Sequence, residues 1–255
     1  MRGLTDKVAI VTGAASGIGK AIAGRLGEEG CKTVILDLNK EGAEATAADI
    51  QAAGGTAFAY ETDITDRDSV SASVDQAEKD AGPIGILVNN AGWDIPMGFL
   101  ETDREFWDKV IGINLYGPLN MHHVVLPKMI ENGGGRVVNI SSDAGRVGSS
   151  GEAVYSACKG GIIAFTRTLA REHSRHNIQL NTVCPGPTDT PLFDDFKAHS
   201  PNGAKIAEGL ARAIPARRLG EPADYPGIVS FLASEDAAYI TGQVISVSGG
   251  LTMSG

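Results

Sequence analysis

The chain has 255 residues and a formal net charge of −9, from 22 Lys and Arg against 31 Asp and Glu. Hydrophobic residues make up 42% and charged residues 21%, which indicates a globular chain rather than a disordered one. The acidic balance and the lack of a basic run argue against nucleic acid and anionic membranes as partners. No apolar stretch approaches the roughly 20 residues that a membrane-spanning helix needs. The glycines have no fixed period, which excludes collagen-like and solenoid arrays.

The cysteines and histidines favour neither a disulfide framework nor a metal site. Cys31, Cys158 and Cys184 are odd in number and lack CxxC spacing, which suits a reducing compartment. His122 and His123 have no companion acid or histidine at ligand spacing. The residues before the first predicted strand show no signal-peptide pattern. We therefore expect a cytoplasmic protein without a bound metal.

Short apolar runs alternate with helical patterns along the whole chain. The predicted strands cover 8–11, 33–36, 56–60, 84–88, 136–140, 178–183 and 244–247, and the main helices 17–28, 40–52, 69–80, 101–129 and 154–173. The strands are continuous β-branched runs, typical of strands buried on both faces. This pattern predicts one α/β domain over 1–255, a Rossmann-type doubly wound parallel sheet with helices on both faces.

One stretch, 185–218, shows no clear regular element and contains five prolines. A loop of this length in a compact domain is usually functional. We predict that residues 187–218 form a mobile flap over the substrate, before the last helix and strand.

The segment TGAASGIG at 12–19 follows the first strand and opens the first helix. Gly13, Gly17 and Gly19 permit a tight turn that brings backbone amides, together with Ser16 and Ile18, to a pyrophosphate at a helix N-terminus. An ordinary strand-to-helix turn is the alternative. The strand before it and the helix after it favour a dinucleotide site.

The ends of the next strands supply further candidate cofactor-binding residues. Asp37 ends the second strand, at the offset where an acid binds the adenosine ribose, and no Arg or Lys at 14–16 or 38–39 attracts a 2′-phosphate. This predicts NAD rather than NADP. Asp63 and Ile64 follow the third strand, near the expected adenine, and Asn90 and Gly92 follow the fourth.

A candidate catalytic group stands in the second half of the chain. Tyr155 and Lys159 are four residues apart and share one face of a predicted helix. The phenol has an ordinary pKa near 10, which an adjacent ammonium and a cationic nicotinamide would lower toward neutrality. Tyr155 is then the candidate general base and acid. Ser142, just after a strand, can hydrogen-bond the reacting oxygen.

Taken in order, these motifs resemble the short-chain dehydrogenase/reductase family from Lys7 to about Gly250. The resemblance implies a catalytic tetrad of Asn114, Ser142, Tyr155 and Lys159, in which Asn114 holds a water of a proton relay through Lys159.

The resemblance also implies cofactor contacts beyond the glycine turn and an oligomer. The residues expected around the nicotinamide, besides Tyr155 and Lys159, are Pro185, Gly186, Thr188 and Thr190. The segment 242–250 resembles the one through which family members commonly form homotetramers.

Stretches 91–95, 121–123, 146–155 and 183–190 further resemble family members that oxidise ring β-hydroxyacyl-CoA esters. The resemblance implies NAD-dependent oxidation of a secondary alcohol such as 2-hydroxycyclohexanecarboxyl-CoA to the ketone. Trp93 is a candidate wall for the ring, with ordinary core packing as the alternative. Arg146 is a candidate for steering an anionic group, with a solvated loop arginine as the alternative.

Other substrates stay open: a free cyclic alcohol, a hydroxysteroid or an acyclic 3-hydroxyacyl thioester. A non-catalytic NAD sensor is disfavoured, because all four tetrad positions are filled.

Overall fold

The fold is built on a parallel β-sheet. The computed structural model of the protein describes residues 1–199 and 202–253. Within this part, the strands are β1 Val8–Thr12, β2 Lys32–Asp37, β3 Thr56–Glu61, β4 Ile84–Asn89, β5 Gly135–Ile140, β6 Ile178–Pro185 and β7 Val244–Val247. All neighbours pair in parallel, in the order β3-β2-β1-β4-β5-β6-β7. The predicted doubly wound sheet is confirmed.

Helices connect the strands. They are α1 Gly17–Glu28, α2 Lys40–Ala52, α3 Arg67–Ala81, α4 Arg104–Ile111, α5 Gly117–Glu131, α6 Ala144–Val147, α7 Ala153–His173, α8 Pro191–His199, α9 Gly203–Ala213 and α10 Pro226–Ala233. No helix in the described ranges is long and apolar enough to cross a membrane.

The strands bury side chains on both faces, which explains their unbroken apolar sequence. In β1, Ala9 and Val11 face a cluster shared with α1, α2 and α10, whereas Val8 and Ile10 face a cluster shared with α3, α5 and α7. Successive residues of a strand point to opposite faces, so β1 contributes to both clusters. The sheet is therefore the central layer of a three-layer domain.

The strand order reverses direction at β1, which lies between β2 and β4. In open parallel sheets, ligands bind at the carboxyl ends of the strands beside such a switch point. The segments predicted to bind the cofactor leave the sheet at this edge, since they follow the last residues of β1, β2, β3 and β4.

The predicted helix over 101–129 is interrupted. A 3₁₀ turn covers Phe99–Glu101, α4 begins at Arg104, and a π-helical turn over Gly112–Tyr116 separates α4 from α5. A π-helical turn accommodates one more residue than an α-helical turn, and such turns are frequent at functional sites. Asn114 lies within this one.

The expectation of an irregular flap over 187–218 is wrong in its secondary structure, because α8 and α9 form most of it; positions 200 and 201 lie outside the described residues. The two ends of the flap are joined by a bridge between Thr188 and Gly220. The amide of Gly220 donates to the Pro187 carbonyl at 2.9 Å, and the Asp189 amide donates to the Gly220 carbonyl at 2.9 Å.

Candidate active site

A cleft of about 1650 Å³ opens at the carboxyl edge of the sheet. Nearly all the residues predicted to bind cofactor or substrate line it. They are Gly13, Ser16, Gly17, Ile18, Asp37, Asp63, Ile64, Asn90, Gly92, Trp93, Ser142, Tyr155, Lys159, Pro185, Gly186, Thr188 and Thr190. Gly19, Asn114 and Arg146 are not among the lining residues.

The turn between β1 and α1 is shaped by its glycines. A Cβ on Gly19 would lie 2.2 Å from the carbonyl oxygen of Gly13, and one on Gly13 would lie 2.6 Å from Cα of Ala91. Gly17 has a φ of +56°, which other residues rarely adopt. Ser16, at the N-cap of α1, makes no capping side-chain hydrogen bond. The first amides of α1 therefore border a cleft without a capping side chain, as a pyrophosphate site requires.

Asp37 is fixed at the end of β2. Its Oδ2 accepts a hydrogen bond from the amide of Ala15 at 2.9 Å, and its Oδ1 accepts one from the amide of Asn39 at 2.9 Å. The neighbouring Leu38 is exposed and lines the cleft. The carboxylate is thereby held beside the glycine turn with lone pairs left for hydroxyl donors.

Asn90 ties β4 to the glycine turn. Its Nδ2 donates to the carbonyls of Thr12 and Gly13, at 3.1 and 2.9 Å, and its amide donates to Thr12 Oγ1 at 3.0 Å. Asp63 accepts two hydrogen bonds from Thr65 through Oδ1. Both side chains thus order the loops of the cleft as well as lining it.

Tyr155 and Lys159 lie on the first two turns of α7, with Lys159 Nζ 5.5 Å from the centre of the Tyr155 ring. Nζ also donates to the carbonyl of Ile140 at 3.1 Å, at the end of β5. Ser142, two residues further along the chain, hydrogen-bonds Tyr155. The three side chains therefore meet on the cleft wall.

Burial dominates the protonation of this group. It lowers the pKa of Lys159 to about 8 and, together with the charge of Glu152, raises the pKa of Tyr155 above its ordinary value. The Ser142 hydrogen bond opposes that rise. The adjacent ammonium was expected to lower the pKa of Tyr155. In the protein without its cofactor the pKa is raised instead, because the desolvation of the phenol is the larger effect.

Asn114 is fully buried behind the cleft. Its Nδ2 donates to the carbonyls of Trp93 and Val110, at 2.6 and 2.9 Å. Gly92 separates it from Lys159, since a Cβ there would lie 3.0 Å from Asn114 Oδ1 and 3.3 Å from Lys159 Nζ. The asparagine thus fixes the loop after β4 against the π-helical turn.

The segment after β6 closes the far side of the cleft. A Cβ on Gly186 would lie 2.7 Å from that of Ser248. Thr188 Oγ1 donates to the carbonyl of Gly186 at 2.8 Å and contacts the hydroxyl of Tyr225. Thr190 approaches the glycine turn, since its Cγ2 would lie 3.7 Å from a Cβ on Gly17.

The two candidate substrate residues differ in placement. Trp93 lines the cleft, packs against Phe106 with ring centres 5.9 Å apart, and has Lys109 Nζ 3.7 Å from its ring centre. Arg146 donates to Ser246 Oγ at 2.8 Å, and Ser246 in turn hydrogen-bonds a carboxylate. These contacts do not favour a role for Arg146 at the substrate.

Asp94 and Glu152 are carboxyl-bearing residues of the cleft that stand close in sequence to predicted site residues but had no predicted role themselves. Asp94 follows Trp93 directly, and Glu152 stands three residues before Tyr155. Their closeness in sequence to predicted site residues was the available signal. The flap helices add apolar lining residues that an irregular flap did not predict: Leu192, Phe193, Ile206 and Leu210.

Comparison with known proteins decides the family. The family model described as enoyl-(acyl carrier protein) reductase matches residues 13–252. The chain belongs to the short-chain dehydrogenase/reductase family. It is 36% identical over 250 residues to a 3-oxoacyl-[acyl-carrier-protein] reductase of Thermotoga maritima, covering 98% of this chain and 99% of that protein.

A second relative and a solved structure are similar over nearly the whole chain. Nodulation protein G of Azospirillum brasilense is 39% identical over 249 residues, covering 97% of this chain and 99% of the relative. The crystal structure of levodione reductase matches with a TM-score of 0.93 at 35% identity, covering 96% of this chain and 97% of that one. The chain is thus an oxidoreductase of this family, which acts on CH–OH and C=O groups with a nicotinamide dinucleotide.

Proposed function

We propose that the protein is an NAD-dependent dehydrogenase that oxidises a ring β-hydroxyacyl-CoA, such as 2-hydroxycyclohexanecarboxyl-CoA, to the β-ketoacyl-CoA. The observation that supports this most is the meeting of Tyr155, Ser142 and Lys159 on one wall of a cleft that begins at the glycine turn.

Oxidation of a secondary alcohol removes a hydride from the carbinol carbon and a proton from its hydroxyl group. A bound nicotinamide dinucleotide would supply the hydride acceptor and a positive charge in the site. Tyr155 takes the hydroxyl proton on Oη, and Ser142 hydrogen-bonds the oxygen as it becomes a carbonyl. The Lys159 ammonium stabilises the phenolate, and Asn114 positions the loop that holds Gly92 beside it. In the reverse direction Tyr155 returns the proton.

The preference for NAD is supported by the charges of the cleft. Asp37 stands where a ribose hydroxyl would donate to it, and a 2′-phosphate there would be repelled. Among the lining residues of the described part, Lys109 and Lys159 are the only lysines or arginines, and neither adjoins Asp37 in the chain.

The alternative substrate is an uncharged ring alcohol or ketone without CoA. The scarcity of cations in the lining favours it, because CoA phosphates are usually held by such groups. The ring itself would meet Trp93 and the apolar side chains of the flap in either case.

We further propose that the protein works in the cytoplasm as a homotetramer. Free, buried Cys31, Cys158 and Cys184 suit a reducing compartment. The tetramer rests on the resemblance of segment 242–250 to the family's assembly segment.

The deciding experiment follows NADH formation with purified protein, NAD and 2-hydroxycyclohexanecarboxyl-CoA. The free acid and cyclohexanol replace the CoA ester in parallel assays, and NADP replaces NAD. Turnover of the CoA ester with NAD alone supports the proposal in full. Turnover of cyclohexanol without turnover of the CoA ester retains the oxidoreductase chemistry and contradicts the CoA assignment.

A further inference from the structure

The loop after β4 places a buried carboxyl group in the cleft. Asp94 is 7% exposed and lines the cleft together with the preceding Trp93. Its Oδ2 is buried and, among the described residues, has no hydrogen-bond partner. A buried polar atom without a partner costs free energy that a native structure usually avoids unless a ligand completes it.

A small space behind the cleft wall holds this carboxyl group beside a second carboxyl group and mostly apolar side chains. It is lined by Asp94, Glu152 and Thr102 together with the apolar Met97, Phe99, Phe106 and Val154. A carboxylate is disfavoured in such a place, and the group takes up a proton instead.

The charged groups nearby favour the protonated form too. Glu152, at the N-terminus of α7, lines the same cleft and faces Asp94, and its charge acts on Asp94 in the same direction as burial. Together they raise the pKa of Asp94 to about 7, whereas only the Ile95 amide opposes the rise. From α7, Tyr155 and Cys158 also interact electrostatically with Asp94.

The remaining charged neighbours stand on the elements around Trp93. Lys109 of α4 lies over the Trp93 ring, and Asp108 and Glu101 also line the cleft. None of them is among the groups that shift the Asp94 pKa. Lys109 contacts the indole ring, and neither it nor Lys159, the other lysine in the cleft lining, is among the groups that shift the Asp94 pKa.

We infer that Asp94 is a specificity-determining residue that, as a neutral carboxylic acid, donates a hydrogen bond to the acyl carbonyl oxygen of the substrate. This inference rests on the proposed function, because a ring β-hydroxyacyl or β-ketoacyl group has such a carbonyl beside the reacting carbon. A simple ring alcohol has none. Asp94 lines the same cleft as Tyr155 and is among the charges that act on the Tyr155 phenol, so an acceptor next to the reacting carbon is within the same part of the cleft.

The test compares two ketones in the reducing direction with NADH: ethyl 2-oxocyclohexanecarboxylate, a β-ketoester, and cyclohexanone, which lacks the second carbonyl. We expect the wild-type KM for the β-ketoester to rise between about pH 6 and about pH 8, as Asp94 loses its proton, while the KM for cyclohexanone stays level. Asp94→Asn keeps a neutral donor and should bind the β-ketoester well at both pH values. Asp94→Ala should raise the KM for the β-ketoester about tenfold at the lower pH, and that for cyclohexanone hardly at all.

A second variant tests the same point without altering Asp94. Glu152→Gln removes a negative charge, which lowers the pKa of Asp94, so the midpoint of the KM rise should move to lower pH. Infrared spectra of the protein without ligands should show a protonated carboxyl band that titrates near pH 7 in the wild type and is lost in Asp94→Asn.

Equal effects of Asp94→Ala on both ketones would overturn the inference, as would an Asp94→Asn variant as poor as Asp94→Ala or a wild type without preference for the β-ketoester at about pH 6. Turnover of the CoA ester is measured separately. A protein that shows the expected β-ketoester profile but does not oxidise the CoA ester contradicts the proposed function and keeps the inference.

Discussion

At the scale of single residues, the site combines a base that is difficult to ionise with groups that ease its ionisation. Burial and Glu152 raise the pKa of Tyr155, and Ser142 opposes them. The ionised phenol therefore depends on positive charge in the cleft. This restricts proton removal to the assembled site, where the hydride acceptor is also present.

Tyr155→Phe tests this role, since it keeps the ring and removes the proton-carrying oxygen. We expect kcat to fall by about 10²- to 10⁴-fold, the range typical of general acid–base groups. NADH binding, followed by fluorescence titration, should change little. Ser156→Ala, on the next residue of α7, is the control and should leave kcat near the wild-type value. A Tyr155→Phe protein with undiminished turnover would sink the proposed mechanism.

Asp37 decides the cofactor in our proposal, and its replacement should relax the choice. Asp37→Asn keeps an acceptor for the Ala15 amide but removes the negative charge. We expect the ratio of kcat/KM for NAD to that for NADP to fall at least about tenfold. Adding Leu38→Arg, at an exposed position of the cleft, should lower the ratio further. An unchanged ratio in the double variant would mean that another residue selects the cofactor.

At the scale of elements, the strands were predicted within two residues of their observed ends, because continuous β-branched runs are a strong signal for buried parallel strands. The single helix predicted over 101–129 is wrong, because a hydrophobic pattern does not reveal one additional residue in a turn.

The prediction that the flap is irregular is wrong for another reason. Its prolines indicate a chain without helices, but Pro191 begins α8 and Pro215 follows the end of α9. These prolines therefore mark helix boundaries.

The glycines of α1 provide a matched pair for testing the dinucleotide turn. A Cβ on Gly19 would meet the Gly13 carbonyl oxygen at 2.2 Å and Asn90 Nδ2 at 2.4 Å, whereas one on Gly24 would meet nothing within 4 Å. We expect Gly19→Ala to destabilise the protein by about 1–3 kcal/mol and to weaken NADH binding. Gly24→Ala should stabilise it by up to about 1 kcal/mol with binding intact. Thermal unfolding with and without NADH measures both, and similar behaviour of the two variants would contradict the assignment of the turn.

At the scale of the whole molecule, a buried polar network links the layers behind the site. His122 of α5 contacts the Pro118 carbonyl through Nδ1 at 2.6 Å, and Asn139 Nδ2 lies 3.3 Å from its Nε2. Asn139 also accepts from Asn89 and donates to Thr166 of α7, both at 2.8 Å. The arrangement suits a neutral imidazole that donates from Nδ1. The network joins β4 and β5 to α5, which follows the turn containing Asn114, and to α7, which contains Tyr155.

This network makes stability depend on pH. Burial lowers the pKa of His122 from 6.5 to about 4, so between these values the unfolded chain binds a proton that the folded chain does not. Stability from this group is complete above about pH 6.5 and falls as the pH drops toward 4, by up to about 3 kcal/mol. Urea unfolding at about pH 7 and about pH 5 should show the loss. His122→Gln should reduce the difference between the two pH values, and an equal loss in that variant would refute the assignment.

The site residues that could be predicted are those marked by a local sequence pattern. Gly13, Asp37 and Tyr155 each stand at a strand end or helix start that the sequence marks, and the parallel sheet brings those ends to one cleft. Asp94 and the Tyr155 pKa could not be foreseen, because burial is a property of the assembled fold. The roles of the individual site residues stay predictions.

The bridge between the two ends of the flap, Thr188 and Gly220, has a consequence for how substrate specificity can change among related proteins. Pro187 and Thr188 are bound to Gly220, and Thr188 also contacts Tyr225, so the anchor points are set by the scaffold rather than by the intervening chain. The closure entropy of a loop depends only weakly on its length. The segment between Thr188 and Gly220 can therefore be replaced without disturbing the rest of the fold. If it is exchanged for the corresponding segment of a relative, the range of alcohols accepted should change. The sheet and the preference for one cofactor should stay the same.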